Sequence, residues 1–314
     1  MARVFVVGPY IPNGGTLMAY HLARILQQDF GLEGWAVRVD GESPDHGIFA
    51  YDPVFPSIDL DALPGTIRDE DVLIANPSFS AHCLGLRCAG RKVMYIQDYK
   101  TFDLIDLQFD LYVSVSGVVR AFVRDFYGIE TEIIPPFIRP DTFPTPPPWP
   151  DRPEGGVLLH NKGHGQRQKL LLERFRQLVA RRQPGLVLEP LPEGKIPQPA
   201  FAARLGQARH LLSLCPSEGF GLIPLEAMAM GTTVIGFDAF GGRDYLRPGD
   251  NCESVPWPRL ETLADRLLDL LDQPERARIL AERGRATALA PRFTPAHFRA
   301  AWSAQFERLL GQKR

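Results

Sequence analysis

The apolar run at 211–214 leads into a glycine-bearing loop, a short helical stretch beginning near Pro224 and a β-branched run at 232–235. Strand, loop, helix and strand in quick succession belong in a parallel sheet with helices on its faces, because the helix must return the chain before the next strand can pair. The same alternation recurs on both sides of this unit. Strand-like runs stand at 4–7, 35–39, 72–75, 92–96, 111–115, 131–134, 157–159 and 186–188. Helical spacing joins Met18, Leu22, Ile25 and Leu26, and a helix is predicted over 117–127 with Ser116 as N-cap and Gly128 as stop. Further helices are predicted over 169–182, 201–208, 260–271, 274–289 and 295–310. The expected class is α/β. Pro144, Pro146, Pro147, Pro148 and Pro150 suppress helix and ladder pairing, so their segment reads as a stiff linker. A chain of 314 residues with 45% apolar content has enough material for a core on each side of it.

The loop after 211–214 carries Glu218, Gly219, Phe220, Gly221 and Leu222, and the helix behind it carries Glu226. Gly219 and Gly221 let backbone N–H groups approach a ligand, and a helix with Pro224 at its first position adds a positive dipole end suited to a phosphate. Gly231 fits just past the helix end. The two carboxylates are acceptors, suited to sugar hydroxyls rather than to phosphate. Glu226 keeps a second reading as a cap in the first helical turn.

The string Glu218-Gly219-Phe220-Gly221-Leu222, followed by Pro224-Leu225-Glu226-Ala227-Met228-Ala229-Met230-Gly231, resembles the donor-site signature of the family-4-like retaining glycosyltransferases of the GT-B fold. The pattern continues through 234–236 to Gly241-Gly242-Arg243-Asp244, where Asp244 stands for the more usual Glu and comes one residue late. The resemblance implies two Rossmann-like domains facing each other across a cleft. Residues 1–145 would form the acceptor side and 146–294 the donor side, with a final helix at about 295–314 packing back on the first. It implies that Glu218 contacts hydroxyls of the donor sugar and Glu226 the ribose. The N–H groups of Phe220, Gly221 and Leu222 would face sugar and diphosphate. The implied reaction is retaining transfer of a hexosyl or deoxyhexosyl group from a nucleoside-diphosphate sugar to a hydroxyl of a saccharide or lipid-linked acceptor, in bacterial polysaccharide or glycoconjugate synthesis. The departing phosphate would help accept the proton, and neither cofactor nor metal is called for.

Other loops supply the remaining candidates. Gly14-Gly15-Thr16 follows the first strand and is either a donor-binding loop or a plain turn. Lys162, Arg167 and Lys169 lie in the polar stretch after 157–159 and are candidates to neutralise the diphosphate, with Arg243 next in line. Lys162 and Arg167 have the family's five-residue spacing in reverse order, and Lys169 has it with His164. Gln97-Asp98-Tyr99 resembles an element of rhamnosyltransferase-like members. Gln97 is a candidate for sugar hydroxyls, Asp98 for the acceptor or for holding its own turn, and Asn76 for the acceptor side or for shaping its loop.

A formal net charge of −2 gives no general drive towards nucleic acid or anionic lipid. His82, Cys83, Cys88, Cys215 and Cys252 make no zinc-type spacing, and the cysteines are expected as buried thiols in a reducing cytoplasm. No apolar run is long enough to span a bilayer and the N-terminal run is too short for a signal peptide. Arg120, Phe122, Arg124, Phe126 and Tyr127 are either a solvated helix face or a peripheral contact at the inner face of a membrane. A sugar-nucleotide epimerase and a non-catalytic nucleotide-sugar-binding subunit are the competing functional readings.

Overall fold

The computed structural model describes residues 1–8, 14–39, 55–79, 90–162, 165–192 and 196–311. The chain divides into two compact units, one of Met1–Phe137 with Pro295–Arg314, the other Ile138–Thr294. The division falls at 137/138, so the proline-rich segment lies within the second unit, folded into short 3-10 turns at Pro140–Thr142 and Trp149–Asp151.

The first unit is built on seven parallel strands: β1 (Arg3–Val7), β2 (Glu33–Arg38), β3 (Ser57–Asp59), β4 (Val72–Ala75), β5 (Arg91–Ile96), β6 (Leu111–Ser114) and β7 (Glu132–Ile133). Their order is β3-β2-β1-β4-β5-β6-β7. β1 sits mid-sheet with Val4 beside Gly34 on one side and Val72 on the other. Strands covered on both faces need apolar residues at every position, and β1 and β4 are buried throughout. Asp71 ties the start of β4 to that of β1: its carboxylate accepts from the backbone N–H of Arg3 at 2.8 Å and of Arg68 at 2.9 Å, and pairs with the Arg3 guanidinium at 2.6 Å.

Among the described residues, the helices of this part of the chain are α1 (Gly14–Phe30), α2 (Leu63–Thr66) and α3 (Gly117–Tyr127). α3 has the predicted ends. Ser116 Oγ accepts from the Val119 N–H at 3.3 Å, and Gly128 closes the helix with φ 68° in the left-handed region. On its outer face Arg120 and Arg124 pair with Glu130 and Asp125, while Phe126 is 75% exposed.

The second unit holds five parallel strands in the order β12-β11-β10-β8-β9, namely β8 (Val157–His160), β9 (Leu188–Pro190), β10 (His210–Ser213), β11 (Thr233–Phe237) and β12 (Glu253–Val255). Its helices are α4 (Gln166–Ala180), α5 (Gln198–Gly206), α6 (Leu222–Ala229), α7 (Leu260–Leu271) and α8 (Pro274–Ala288). Phe175, Leu178, Leu212, Ile235, Leu263 and Leu267 meet in one core between the sheet and helices α4 and α7. The buried Arg152 guanidinium donates to the carbonyls of Ala208, Met230 and Gly231 at 2.8–3.0 Å and to Thr232 Oγ1 at 3.2 Å. It thereby caps the C-terminal end of α6, and burial lowers its pKa to about 10.

The last helix, α9 (Pro295–Gly311), belongs to the first unit. Trp302 meets Tyr95 of β5 edge-on at 5.1 Å, Phe298 meets Phe137 at 5.0 Å, and Arg299 pairs with Asp29 at the end of α1.

Candidate active site

In an open parallel sheet, ligands gather outside the carboxyl ends of the strands where the order switches direction. In the second sheet that point lies between β8 and β10, since β8 pairs with β9 on one side and β10 on the other. Lys162 leaves the end of β8, and the loop from Cys215 to Gly221 leaves the end of β10.

Glu218 is held by its backbone. Its N–H donates to the Ala239 carbonyl at 2.8 Å, and its own carbonyl accepts from the Gly241 N–H at 3.2 Å, so the loop after β10 is stitched to the loop after β11. That second loop carries Ala239 at φ 50° and Phe240 at φ 61°, a conformation disfavoured for residues with a Cβ. Gly241 is required there: an added Cβ would stand 2.4 Å from the Gly219 carbonyl oxygen. Phe240 lies under the Arg243 guanidinium at 4.7 Å, and Arg243 pairs with Asp238 at 2.7 Å. Asp244 closes the 3-10 turn Gly241–Asp244, and its carbonyl accepts from Arg292 at 3.3 Å.

The Glu218 carboxylate points to the Lys162 ammonium at 3.3 Å, with side chains 15% and 64% exposed. A pair this open to water contributes no more than about 1 kcal/mol, so hydroxyl groups of a ligand can displace the lysine. Arg167 and Lys169, by contrast, stand exposed in the first two turns of α4. Lys162 is the proposed cation joined to Glu218. His164 lies outside the described residues.

Gly221, at φ 89°, turns the chain into α6, and among the described residues no side chain caps that helix. Its first N–H groups therefore face the loop without a side-chain acceptor, an arrangement fitted to an anion. The turn is fixed by Tyr245, a buried phenol whose hydroxyl donates to the Gly221 carbonyl at 2.5 Å. Burial raises the Tyr245 pKa and keeps the hydroxyl a donor. Phe220, Tyr245 and Phe293 pack with ring centroids 5.3–6.1 Å apart.

The helix starts two residues earlier than the sequence suggests, because the left-handed Gly221 rather than Pro224 sets its first turn. Pro224 takes the third helical position and Glu226 the fifth, which removes the capping reading of Glu226. Gly231 does lie just past the end, at φ 66°. Glu226 is buried, and its Oε1 accepts from Gln198 Nε2 at 2.9 Å. Burial pushes its carboxyl from 4.5 up to about 7, against the opposing hydrogen bond from Gln198.

Behind Glu218 lie His160 and Cys215. Cys215 Sγ is 3.4 Å from His160 Nε2 and accepts from the Lys162 N–H at 3.4 Å, while His160 Nδ1 is 3.1 Å from Ser213 Oγ. Burial lowers the His160 pKa to about 4, with Lys162 adding to the effect. Gln168, buried in α4, donates to the Leu214 carbonyl at 3.1 Å and to Asn161, joining the ends of β8 and β10. Sequence reasoning missed Gln168, Gln198 and Tyr245, whose roles depend on partners far along the chain.

The first unit has its own switch point, between β1 and β4. Gly14, Gly15 and Thr16 open α1 after β1, Asn76 follows β4 and Gln97 follows β5. Gln97 Nε2 donates to the Gly15 carbonyl at 2.7 Å, Gln97 Oε1 accepts from Asn76 Nδ2 at 2.7 Å, and Asn76 Oδ1 accepts from the Ser78 N–H at 3.0 Å. The Gln97 amide is thus engaged at both ends. The Asp98 carboxylate accepts from the next N–H, that of Tyr99, at 2.8 Å, a local turn. Cys215 and Cys252 are buried free thiols; His82, Cys83 and Cys88 lie outside the described residues.

Residues 194–287, which include both glutamates, match the model of the family described as Glycosyl transferases group 1. Solved structures share the fold along nearly the whole chain. HepE from Anabaena, in a complex with UDP and glucose, superposes with a TM-score of 0.75 at 13% identity over 98% of this chain and 100% of that one. Sucrose-phosphate synthase from Thermosynechococcus elongatus gives 0.71 at 16% identity over 99% and 100%. TarM from S. aureus gives 0.63 at 15% identity, covering 79% of this chain, which spans 58% of the length of TarM. No curated protein sequence gives a significant match. The fold is that of the GT-B glycosyltransferases. Among the described residues, no helix is long and apolar enough to cross a membrane.

Proposed function

We propose that the chain transfers a sugar from a nucleoside-diphosphate sugar to a hydroxyl acceptor with retention at the anomeric carbon. The observation that carries this reading is the uncapped start of α6 at Gly221, with Glu218 before it and the buried Glu226 behind, at the switch point of the second sheet. A diphosphate meets the helix N–H groups, the ribose hydroxyls meet Glu226, and the sugar hydroxyls meet Glu218 in place of Lys162. As the glycosidic bond loosens, negative charge grows on the leaving phosphate, and the aligned N–H groups with Lys162 stabilise it. The departing phosphate accepts the proton of the incoming hydroxyl, so the step needs no protein base and no metal. The Glycosyl transferases group 1 match over this segment and the UDP and glucose bound to HepE make UDP-sugars the first donors to test.

The test is a donor panel scored by nucleoside-diphosphate release with and without saccharide or lipid-linked acceptors. Release that depends on acceptor supports transfer; a new sugar nucleotide formed without acceptor would instead identify an epimerase. Two variants separate the glutamates. Glu226→Ala is expected to weaken binding of the free nucleoside diphosphate about tenfold to a hundredfold, the loss of a hydrogen bond to a charged acceptor. Glu218→Gln keeps that affinity within a few-fold and depresses transfer strongly. The reverse pattern would exchange their assignments.

A further inference from the structure

We infer that Gln198 is a positioning residue for the nucleotide: it fixes the plane of the buried Glu226 carboxyl and favours the ionised form that ribose hydroxyls bind. Gln198 Nε2 donates to Glu226 Oε1 at 2.9 Å, from the first position of α5 to the fifth of α6. Among the described residues, no ion pair and no second hydrogen bond reaches this carboxyl. A carboxylate can accept about four hydrogen bonds, so one contact turns the group and most of its capacity stays open to the hydroxyls of a ligand.

A carboxylate enclosed in protein is ordinarily paired with a cation, and here its partner is a neutral amide. The cations on the elements packed against α6 are engaged elsewhere. Arg285 of α8 and Arg152 donate to the carbonyls of Ala229 and Met230 at the far end of the helix, and Arg204 of α5 pairs with Glu189. β10 begins with His210, which burial keeps neutral, and β11 carries no charged residue. The Tyr245 phenol is near enough for Glu226 to contribute to its raised pKa. An amide serves either charge state of a carboxyl, since its N–H donates to the anion and its carbonyl accepts from the acid. Burial favours the acid, and the Gln198 N–H opposes it. Ribose hydroxyls that donate to the carboxylate complete the shift, so donor binding releases the proton. The control of Glu226 stands on the contact with Gln198, and its effect on binding rests on the transfer reading.

The chain labelled with carbon-13 at its glutamate carboxyls is titrated by NMR, the Glu226 signal being the one lost in Glu226→Gln. Gln198 is half-buried at a helix start, so Gln198→Leu keeps the fold and the bulk of the side chain. It is expected to move the Glu226 midpoint up by about one pH unit, the loss of a hydrogen bond to a charged group. Gln198→Glu moves it further up, because two adjacent carboxyls share a proton. Calorimetry then follows the binding of UDP-glucose, whose doubly esterified diphosphate does not titrate in this range, from about pH 6 to 9; GDP-mannose is the probe if UDP-glucose does not bind. In Gln198→Leu the rise of affinity with pH is displaced upward by the same amount, a loss of about fivefold at pH 7 that shrinks as pH rises. The inference is overturned if Gln198→Leu leaves the Glu226 midpoint in place, or if it lowers affinity by one factor at every pH, as a merely structural residue would. A displaced midpoint in a chain that binds neither nucleotide sugar would sink the transfer reading and keep the control of Glu226 by Gln198.

Discussion

Each unit of the molecule has a helix that starts at glycine beside its sheet's switch point, α1 with Gly14 and Gly15 in its first turn and α6 behind Gly221, and in each a distant side chain donates to a glycine carbonyl at that helix start. In the first unit the donor is Gln97, reaching Gly15; in the second it is Tyr245, reaching Gly221. Around Gly15 the supporting groups are neutral amides, half-buried, handing hydrogen bonds from Asn76 to Gln97 to the first turn of α1. Around Gly221 they include a fully enclosed phenol, a buried carboxyl, left-handed backbone and a glycine packed against backbone. Strain and a buried carboxyl are maintained only where the surrounding structure over-determines them, which is the contrast that the proposed donor role of the second loop rests on.

The sharpest way to break the contrast is Gly241→Ala. The new methyl would press on the carbonyl oxygens of Gly219 and Glu218, at 2.4 and 2.6 Å, and backbone must move to admit it. A loss of about 4 kcal/mol in urea unfolding is expected, the range reserved for steric conflict inside a packed region. Nucleoside-diphosphate binding should fall with it, even below the unfolding midpoint. A stable variant with parent-like affinity would mean that the two stitched loops are looser than their hydrogen bonds imply.

Glu226 gives the next largest effect, and its sign depends on pH. Its folded pKa of about 7 lies above the ordinary 4.5, so the folded state holds this proton more tightly than the unfolded chain does. The associated stability is full below pH 4.5 and is lost as pH rises through 7. Glu226→Gln removes the charge and the penalty, and should be more stable than the parent at pH 8 by about 3 kcal/mol while differing little at pH 4. Nucleotide affinity of the parent should rise between pH 6 and 8 as the carboxylate forms, and that of the variant should stay flat.

Tyr245→Phe tests the tie itself. Removing the hydroxyl leaves the ring stack with Phe220 and Phe293 in place and deprives the Gly221 carbonyl of its buried donor, at a cost of about 1–2 kcal/mol. Nucleotide affinity should drop several-fold, because the turn that aims the α6 N–H groups is no longer fixed. Chemical denaturation and calorimetric titration read the two effects separately.

How much of this could be read in advance follows from the range over which each feature is determined. α3 was legible at both ends because Ser116 and Gly128 act on their own neighbours, and 260–271 was legible because a single helix face carries its leucines. Of the edge strands, β7 falls within the predicted run at 131–134, but the other three were not legible: β3 and β12 are three residues each with polar members, and β9 lies two residues beyond the apolar run that suggested it. α4 starts at Gln166 rather than 169 because Gly165 caps it without a side-chain signal. In the candidate site, the loop with Glu218, Gly219 and Gly221 and the helix with Glu226 were legible as a loop and a helix from the sequence string. Tyr245, Gln198, Gln168 and Arg152 were not, since each works on a partner at least 24 residues away.

The smallest effect belongs to the amide relay of the first unit, and a double-mutant cycle on Asn76 and Gln97 measures it. Gln97→Leu leaves the Asn76 amide without its acceptor and takes one donor from the Gly15 carbonyl in the first turn of α1, yet both groups are near enough to water to be re-solvated. Each single change should therefore cost about 1 kcal/mol, with a coupling of about 0.5 kcal/mol or more between them, as for side chains in direct hydrogen-bond contact. Binding of free nucleoside diphosphate should be unchanged in all three variants, in contrast to Tyr245→Phe. If Gln97→Leu weakens the nucleotide as much as Tyr245→Phe does, the start of α1 shares in holding the diphosphate and the two helix starts are functional equals. If it raises the KM for acceptor alone, the relay shapes the acceptor side, and the division between a charged donor loop and a neutral acceptor loop becomes a division of substrates.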